Sequence, residues 1–294
     1  MSRRLNNLLQ HISIRESDDE VARALKQRLA LASLASQFTL SDERLKQAVL
    51  YLLHEMVGGL EGRESTLRML PSYVYKGNPK QATGVFYALD LGGTNFRVLR
   101  VACKEGRVVD SSSNAFRIPA HALHGTSDDL FGFIAGNVKR VMETQAPEDL
   151  SRTVPLGFTF SFPTVQSKVN NGKLLRWTKG FSTKGVEGND VVGLLQKALE
   201  SVRVNVKVVA LCNDTVGTLI ARYFQDPDAQ VGVIIGTGCN ACYFETASAV
   251  KKDPAVAARG SALTAINMEC GNFDSKHRFV LPTTKYDEDL DAAS

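Results

Sequence analysis

An acid, two glycines, a hydroxyl, an amide and an arginine stand close together in the eight residues D-L-G-G-T-N-F-R, residues 90–97. Glycines let backbone N–H groups approach phosphate oxygens closely, because no Cβ stands in the way. Thr94 and Asn95 add side-chain donors, and Asp90 can hold a hydrated Mg²⁺, which prefers one or two carboxylates with water and phosphate. A plain hairpin turn needs none of these polar neighbours. The segment is therefore interpreted as a phosphate site.

A second acid, Asp214, stands between a predicted strand and a predicted helix in L-C-N-D-T-V-G-T, residues 211–218. A carboxylate there can accept a proton from a substrate hydroxyl that attacks phosphorus, and phosphoryl transfer requires a positioned base. The alternative is that Asp214 is only the N-cap of the helix, since Asp is a preferred cap residue. Beside the phosphate motif, we favour a catalytic base.

Two further segments set small polar residues among aromatic ones: L-G-F-T-F-S-F-P at 156–163 and R-W-T-K-G-F at 176–181. Hydroxyl donors beside apolar faces suit a polyhydroxylated ligand. Core packing explains the phenylalanines of the first segment, but it does not explain Ser161, Thr178 and Lys179. These three residues are candidates for ligand binding.

Glu269 is the single acid in the run N-M-E-C-G, residues 267–271. A buried carboxylate without a partner is costly, so Glu269 should be hydrogen bonded. Sugar hydroxyls would serve as its partners.

The five cysteines have irregular spacing, which is not a disulfide framework and favours a reducing compartment. Cys239 and Cys242 form one C-x-x-C, without a second pair at zinc-ligand spacing. A metal or redox role is the alternative that this motif leaves open. We interpret the motif as two packed thiols that follow a buried strand at 231–235.

The elements that position these residues can be predicted from periodicity. Residues 16–60 predict two helices, the second capped at Asp42 and ended by Gly58-Gly59. After Gly84, strands alternate with helices, which predicts an α/β fold. The predicted strands are 85–89, 96–102, 153–162, 206–211 and 231–235, with a further strand that follows the turn at 236–238 and runs through residue 244. The predicted helices are 125–146, 191–202 and 215–224.

Two of the predicted hairpins have the same pattern of a hydrophobic strand, a Gly/Thr-rich turn and a returning strand. They are L-D-L-G-G-T-N at 89–95 and I-G-T-G-C-N at 235–240. Their wide separation suggests two related halves that face one cleft, rather than an array of short repeats.

Composition excludes several classes of function. The 294 residues are 44% hydrophobic and 22% charged, as in soluble globular proteins, and no apolar run is long enough for a membrane span. The net charge of +4 is small and scattered, which argues against a nucleic-acid partner. The sequence contains neither a P-loop nor a dinucleotide-binding G-x-G-x-x-G before a helix.

Taken together with I-G-T-G-C-N-A-C-Y at 235–243, these segments resemble the hexokinase family, in order and at family-like spacing from about residue 70 onward. The resemblance implies the α/β, two-domain actin-like ATPase (ribonuclease H-like) fold. It also implies N-terminal helices at 16–74 that pack on the large domain, a small domain at 75–211 and the start of the large domain at 212–294.

The resemblance implies Mg²⁺- and ATP-dependent phosphorylation of the 6-hydroxyl of glucose or a related hexose, with Asp214 as general base and Lys179 as a further catalytic residue. The implied sugar-binding residues are Ser161, Thr178, Lys179, Asn213, Asp214, Asn240 and Glu269. The implied ATP-phosphate residues are Asp90, Gly92, Gly93, Thr94, Asn95, Arg97, Thr215, Gly236 and Thr237, with Asp90 facing Mg²⁺ through water. A non-catalytic sugar-binding, regulatory or assembly protein on the same fold is the alternative.

The first 15 residues show no secretory signal, but they contain Arg4-Leu5 and, after five residues, His11-Ile12. On a helix these positions share one face, as in an ordinary amphipathic helix. The pattern also resembles an N-terminal peroxisomal import signal, from which Ile12 departs. With the hexokinase segments it resembles the glycosomal hexokinases of trypanosomatids. This predicts an import receptor as partner and a glycosome or peroxisome-like organelle, with the cytosol as alternative.

In the family, residues 286–294 resemble the stretch before a further sugar-binding glutamate, an adenosine motif and a closing helix, none of which this sequence contains. We therefore expect weak ATP binding and slow or absent turnover from these 294 residues. We also expect an open sheet edge and exposed apolar surface.

Overall fold

The structure is a computed structural model that describes residues 19–93, 95–236, 238–276 and 278–293. The helices of these ranges are α1 (Asp19–Phe38), α2 (Asp42–Glu61), α3 (Ala120–His124), α4 (Ser127–Gln145), α5 (Val191–Ser201), α6 (Asp214–Gln225), α7 (Pro254–Ala257) and α8 (Lys285–Ala293). The strands are β1 (Leu70–Tyr75), β2 (Gly84–Leu91), β3 (Asn95–Lys104), β4 (Arg107–Arg117), β5 (Val154–Phe160), β6 (Thr164–Lys168), β7 (Asn171–Leu174), β8 (Val206–Cys212), β9 (Val231–Ile235), β10 (Cys239–Thr246) and β11 (Leu263–Asn267).

The chain divides into two compact units. The first combines residues up to Leu52 with Lys276–Ser294, and the second runs from Leu53 to Ser275. In the first unit, Phe38 of α1 stacks on Tyr286 of α8 with ring centroids 6.0 Å apart. All predicted site residues within the described ranges belong to the second unit. The domain boundaries predicted at 15, 74 and 211 stay predictions.

Helix α2 corrects the predicted stop at Gly58-Gly59. The helix begins after Ser41, whose hydroxyl accepts the Arg44 N–H at 3.3 Å, and it runs on through both glycines to Glu61. A Cβ at Gly59 would lie 2.5 Å from Cγ of Met69 and 2.6 Å from the Leu67 carbonyl oxygen. Gly59 therefore permits close packing inside the helix and does not end it.

The larger sheet has the strand order β4-β3-β2-β5-β8. Strands β2, β5 and β8 are parallel, whereas β3 and β4 are antiparallel to their neighbours. Apolar positions of these strands pack with helices α4 and α5 in one continuous core that includes Leu89, Phe158 and Leu195. Strands joined through helices into a mixed sheet confirm the predicted α/β class.

The second sheet is antiparallel with the order β1-β11-β10-β9. It packs on α6 through Val216, Leu219 and Phe244. The prediction of a buried strand at β9 was wrong: Val231, Val233 and Ile235 are exposed, and β9 is the edge of its sheet in the described ranges. Its inner face carries Gly232, where a Cβ would lie 2.9 Å from Leu219. Helix α6 therefore packs directly against the backbone of the strand.

Both hairpins with the shared turn pattern are present. Strands β2 and β3 pair antiparallel on either side of the first turn, and β9 and β10 pair antiparallel on either side of the second. The two hairpins belong to different sheets. None of the helices in the described ranges is long and apolar enough to cross a membrane.

Candidate active site

The site is built at the carboxyl ends of the three parallel strands. Cα pairing places Asp90 beside Thr159 and Thr159 beside Cys212, so β2, β5 and β8 end at the same edge of the sheet. The next residues along each strand complete this edge. The Ser161 N–H donates to the Leu91 carbonyl at 3.2 Å, which holds the end of β5 against the end of β2. Ser161 is buried.

Asp90 lies close to several charged side chains. Its carboxylate accepts a hydrogen bond from Arg97 at 3.2 Å, from the adjoining strand β3. Burial raises the pKa of the Asp90 carboxyl, Arg97 opposes that shift, the negative charge of Asp214 adds to it, and Lys179 opposes it. The two acids and the two cations therefore occupy one neighbourhood at the strand ends.

The start of α6 separates the roles of Asn213 and Asp214. The N-cap is Asn213, whose side-chain oxygen accepts the Thr215 N–H at 2.9 Å. The alternative that Asp214 is only the cap is therefore wrong. Oδ1 of Asp214 also accepts from the Thr215 N–H, at 2.9 Å, and from the Thr215 hydroxyl, at 3.4 Å. These bonds fix one oxygen of the carboxylate in orientation.

Four side chains form a polar chain beside Asp214. The Asn240 amide group donates to the side-chain oxygens of Asn213 at 3.5 Å and of Asn267 at 2.8 Å. The Asn267 amide group donates in turn to Glu269 at 2.7 Å. The side-chain oxygen of Asn240 accepts the N–H of Cys270 at 3.2 Å. The partner expected for Glu269 is thus supplied by the protein, and the network joins β8, β10 and β11.

An aromatic cluster positions the segment that carries Thr178 and Lys179. Trp177 stacks on Phe181 with centroids 4.8 Å apart, and its indole N–H donates to the Thr183 carbonyl at 2.8 Å. Trp177 is thus part of the scaffold. The Phe181 N–H donates to the Thr178 carbonyl at 3.2 Å, which closes a turn. Lys179, with a left-handed φ of 57°, lies in this turn, and its ammonium group stands 5.4 Å from the Phe162 ring centroid.

The glycines of the predicted phosphate turns differ in the hydrogen bonds of their N–H groups and in the space around them. The Gly92 N–H donates to the Asn95 carbonyl at 3.3 Å, and the Gly236 N–H donates to the Gly238 carbonyl at 2.9 Å. Both amides are thus used within their own turns. Around Gly93, the space that a Cβ would occupy is open. Thr94 and Thr237 lie outside the described residues, as do Arg4, Leu5, His11 and Ile12.

Thr215, another predicted phosphate residue, is fully buried. Its hydroxyl donates to Asp214, and its carbonyl oxygen accepts the thiol of Cys242 at 3.1 Å. Thr215 therefore supports Asp214 from inside the protein.

The donors at the strand ends fit a magnesium-bound phosphate group. Mg²⁺ takes few protein ligands, keeps several waters and binds through one or two carboxylates with phosphate oxygens. Asp90 supplies such a carboxylate, with Arg97 and Lys179 near enough to act on its charge. In the described ranges no group of three or more His, Cys, Asp or Glu is arranged as a metal site. A magnesium ion held by Asp90, water and phosphate oxygens does not require such a group.

The interpretation of the C-x-x-C as two packed thiols was wrong. Cys242 is buried whereas Cys239 is exposed. They are three residues apart on β10, so their side chains point to opposite faces of the strand. The thiol near Cys239 is that of Cys270, whose pKa is raised by burial and by Cys239.

Asn267 is the site residue that sequence reasoning missed. It is buried between Asn240 and Glu269 and hydrogen bonds to both. Its place in N-M-E, two residues before the predicted Glu269, is a usable signal, because alternate residues of a strand share one face.

Two family models, both described as hexokinase, match residues 30–224 and 230–294. The hexokinase of Kluyveromyces lactis is 42% identical over 264 residues, which are 89% of this chain and 54% of that protein. Hexokinase-1 of Arabidopsis thaliana is 44% identical over 259 residues, 85% of this chain and 51% of that protein. The chain thus spans about half the length of the curated relatives it matches.

Solved structures give the same result. The hexokinase from Schistosoma mansoni complexed with glucose superposes with a TM-score of 0.77 and 38% identity, over 88% of this chain and 58% of that one. Another hexokinase crystal structure gives a TM-score of 0.71 and 35% identity, over 88% of this chain and 59% of that one.

Proposed function

This chain belongs to the hexokinase family and has its α/β, actin-like ATPase fold, and we propose that its site binds a hexose and transfers phosphate from ATP to the sugar's 6-hydroxyl. The observation that carries the proposal is the placement of Asp90 and Asp214. The two carboxylates are close enough for the charge of Asp214 to act on Asp90, while Asn213 begins a polar network that leads away from them. Two acids with separate surroundings suit two separate roles.

The sugar is assigned to the side of Asp214 that faces the polar network. Asn213, Asn240 and Glu269 offer amide and carboxylate groups that match hydroxyls, with Ser161, Thr178 and Lys179 as further contacts. The Schistosoma mansoni hexokinase was solved in complex with glucose. This supports glucose, or a hexose like it, as the ligand here.

Asp214 is assigned as the general base. Thr215 fixes Oδ1 through two hydrogen bonds, and the other carboxylate oxygen accepts the proton of the 6-hydroxyl as the hydroxyl oxygen attacks phosphorus. Phosphoryl transfer depends mainly on positioning and charge stabilisation. Lys179 and Arg97 carry positive charge at the site and oppose the negative charge that builds up on the phosphoryl oxygens.

Asp90 is assigned to the magnesium ion of Mg·ATP, and Gly93 to the approach of the phosphates. When bound with ATP, magnesium neutralises phosphate charge and orients the transferred group. Asp90 is held for this role by its bond to Arg97.

The test compares Asp214→Asn with Asp228→Asn, a control at an exposed aspartate outside the site. Glucose 6-phosphate formed from Mg·ATP is measured at high enzyme concentration, so that slow turnover is also detected. We expect the Asp214 variant to lose transfer by about a hundredfold or more, the usual contribution of a general base, while it retains glucose binding. Equal product from both variants would contradict the assignment. Glucose binding without any transfer by the unsubstituted chain would favour the non-catalytic alternative.

We further propose that residues 1–15 are read by a peroxisomal or glycosomal import receptor, from the spacing of Arg4, Leu5, His11 and Ile12. The relatives described above come from a yeast, a plant and a flatworm, and they do not bear on the trypanosomatid resemblance. Residues 1–15 fused to a fluorescent protein test the address in cells that have such organelles. Fluorescence in the organelle that is lost in the Arg4→Ala variant would support an import signal in residues 1–15. Diffuse fluorescence from the unsubstituted fusion would contradict it.

A further inference from the structure

Cys239 and Cys270 lie close together where the β10–β11 pair ends. In the β10–β11 ladder, Cys242 lies opposite Asn267 and Tyr243 lies opposite Ile266. After Asn267 the chain turns at Glu269 into a short 3-10 helix, Cys270–Asn272, which packs beside Cys239 at the start of β10. The Met268 N–H donates to the Ala241 carbonyl at 3.0 Å, so the pairing does continue past the last ladder pair.

The two thiols are close enough for one to act on the other, since burial together with the neighbouring Cys239 raises the pKa of the Cys270 thiol. A Cβ added to Gly271 would lie 2.9 Å from the Cys239 carbonyl oxygen, so the two backbones are also close. A disulfide needs Cβ atoms about 3.5–4.5 Å apart, and this close approach of the two backbones suits such a bond.

The pair differs from the other thiols of the chain, all five of which lie in the described ranges. Cys239 is the exposed one and Cys270 is half-buried beside it. Cys242 is buried and donates to the Thr215 carbonyl, and burial raises its pKa to about 12. Burial also raises the pKa of Cys212. An oxidant from solvent therefore reaches Cys239 first, with Cys270 next in line.

We propose that Cys239 and Cys270 form a redox-sensitive dithiol that hydrogen peroxide closes into a disulfide, and that this closure weakens hexose binding. In the first step the Cys239 thiolate attacks peroxide, the O–O bond breaks, and the products are a sulfenic acid and hydroxide, which takes up a proton to become water. In the second step the Cys270 sulfur attacks the Cys239 sulfur, the S–O bond breaks, and a second water leaves as the S–S bond forms. Two thiols are oxidised by two electrons and one peroxide is reduced to two waters.

The dithiol acts on the sugar site through its neighbours in sequence, and this part rests on the proposed function. Asn240 follows Cys239, and Glu269 precedes Cys270. The Cys270 N–H is held by the Asn240 side chain, and Glu269 has a left-handed backbone with φ 55°. Drawing Cys270 toward Cys239 shifts that N–H and turns the Glu269 backbone. Two of the groups assigned to the hexose then leave their positions.

The experiment treats the reduced chain with hydrogen peroxide and follows two readouts. Peptide mass spectrometry under non-reducing conditions identifies the linked cysteines, and calorimetry measures the Kd for glucose before oxidation, after it, and after dithiothreitol. Cys239→Ser and Cys270→Ser each remove one thiol, and Cys103→Ser is the control. We expect a disulfide-linked Cys239–Cys270 peptide from the oxidised chain. We also expect oxidation to raise the Kd for glucose by about tenfold, because the polar network loses hydrogen-bond partners. Dithiothreitol should reverse the rise, which should be absent in both cysteine variants but present in the Cys103→Ser control.

The two readouts separate the possible failures. Absence of the Cys239–Cys270 peptide, or a link from Cys239 to Cys242, would overturn the dithiol. A linked peptide with an unchanged Kd would overturn the coupling to the sugar site. If the reduced chain does not bind glucose at all, the proposed function fails, while the peptide map still decides whether the dithiol forms.

Discussion

Neighbouring residues at the start of α6 have different duties. Asn213 is the N-cap of the helix and receives the Asn240 amide group, whereas Asp214 is the first helical residue and is oriented by the N–H and hydroxyl of Thr215. If one residue both capped the helix and served as base, its protonation would weaken the helix. This division suits the proposed role of Asp214 as general base.

Asn240→Ala tests the polar network. Asn240 donates to Asn213 and Asn267 and accepts the Cys270 N–H, and truncation removes these bonds from the buried Asn267 oxygen and the Cys270 N–H. We expect a loss of about 1–3 kcal/mol in the free energy of unfolding, since unsatisfied buried groups cost that much. We also expect glucose affinity to fall more than about tenfold. Urea unfolding and calorimetry measure the two effects.

The control is Asn137→Ala in α4, where the side chain bonds only to the Phe133 carbonyl of its own helix, at 2.8 Å. It should leave glucose affinity unchanged. Equal affinity losses in the two variants would contradict a local role for Asn240.

The sequence alone identified most of these residues but not their contacts. Asp90 and Asp214 stand out as acids at predicted strand ends and Glu269 as the single acid of its run, whereas Asn240 was implied by the family resemblance. Asn267 was missed because β11 was not predicted, and without that strand nothing pairs Asn267 with Asn240. Trp177 lies in a segment interpreted as ligand-binding, and only its bond to Thr183 shows that it belongs to the scaffold.

At the scale of elements, Gly59→Ala tests the close approach within α2. A Cβ there would lie 2.5 Å from Met69, so we expect a destabilisation of roughly 1–3 kcal/mol from overpacking. The same substitution at Gly136, which is exposed in α4 with open space around it, should instead stabilise by up to about 1 kcal/mol through helix propensity. Denaturant unfolding measures both. Equal effects of the same sign would show that contact at Gly59 is unimportant.

Asp149, in the turn after α4, joins two strands of the larger sheet. It is fully buried and accepts hydrogen bonds from Arg100 of β3 at 2.7 Å and Tyr87 of β2 at 3.0 Å, with Arg152 as a further donor. Burial alone would raise the pKa of Asp149, but the bonds from Arg100, Arg152 and Tyr87 outweigh it and lower the pKa.

A lowered folded pKa gives stability that is present above the unfolded value of about 3.9 and is lost as pH falls through the folded value. We expect Asp149→Asn to cost about 3 kcal/mol at pH 7, and to cost less as the pH falls below about 4. The control is Asp110→Asn, which removes an exposed partner of the same Arg100 and should cost little. Urea unfolding at several pH values measures the difference. A pH-independent cost would contradict the linkage.

The elements were predicted where apolar periodicity is strong, as in β2, β5, β8, α4 and α6. Strand β4 was missed because its middle reads D-S-S-S-N, which lacks an apolar alternation and lies mostly exposed at a sheet edge. Strand β9 was predicted, but as a buried strand, because an all-apolar run does not show which face of the strand packs against the rest of the protein. Gly58-Gly59 was taken as a stop because no local signal distinguishes it from a packing contact with residues further along the chain.

At the scale of the whole molecule, β9 makes self-association the main hazard. It presents the exposed side chains Val231, Val233 and Ile235 at a sheet edge of the described ranges. Apolar, uncharged edges pair readily with other chains.

Val233→Lys should reduce concentration-dependent association, because a charge on an edge strand opposes pairing. The control is Val109→Lys on β4, which is exposed at the edge of the larger sheet beside charged and serine residues. Sedimentation velocity over a range of concentrations compares the variants. Association that persists unchanged in the Val233 variant would show that β9 is not the contact.

The whole account depends on one crevice at the end of the larger sheet that recognises a hexose. The most direct measurement is calorimetric titration of the reduced chain with D-glucose, with L-glucose as the matched control. We expect saturable binding of one D-glucose per chain and no saturable heat from L-glucose, because the network fixes the positions of its donors and acceptors. Absence of saturable D-glucose binding in a folded chain, or equal binding of both sugars, would contradict the account.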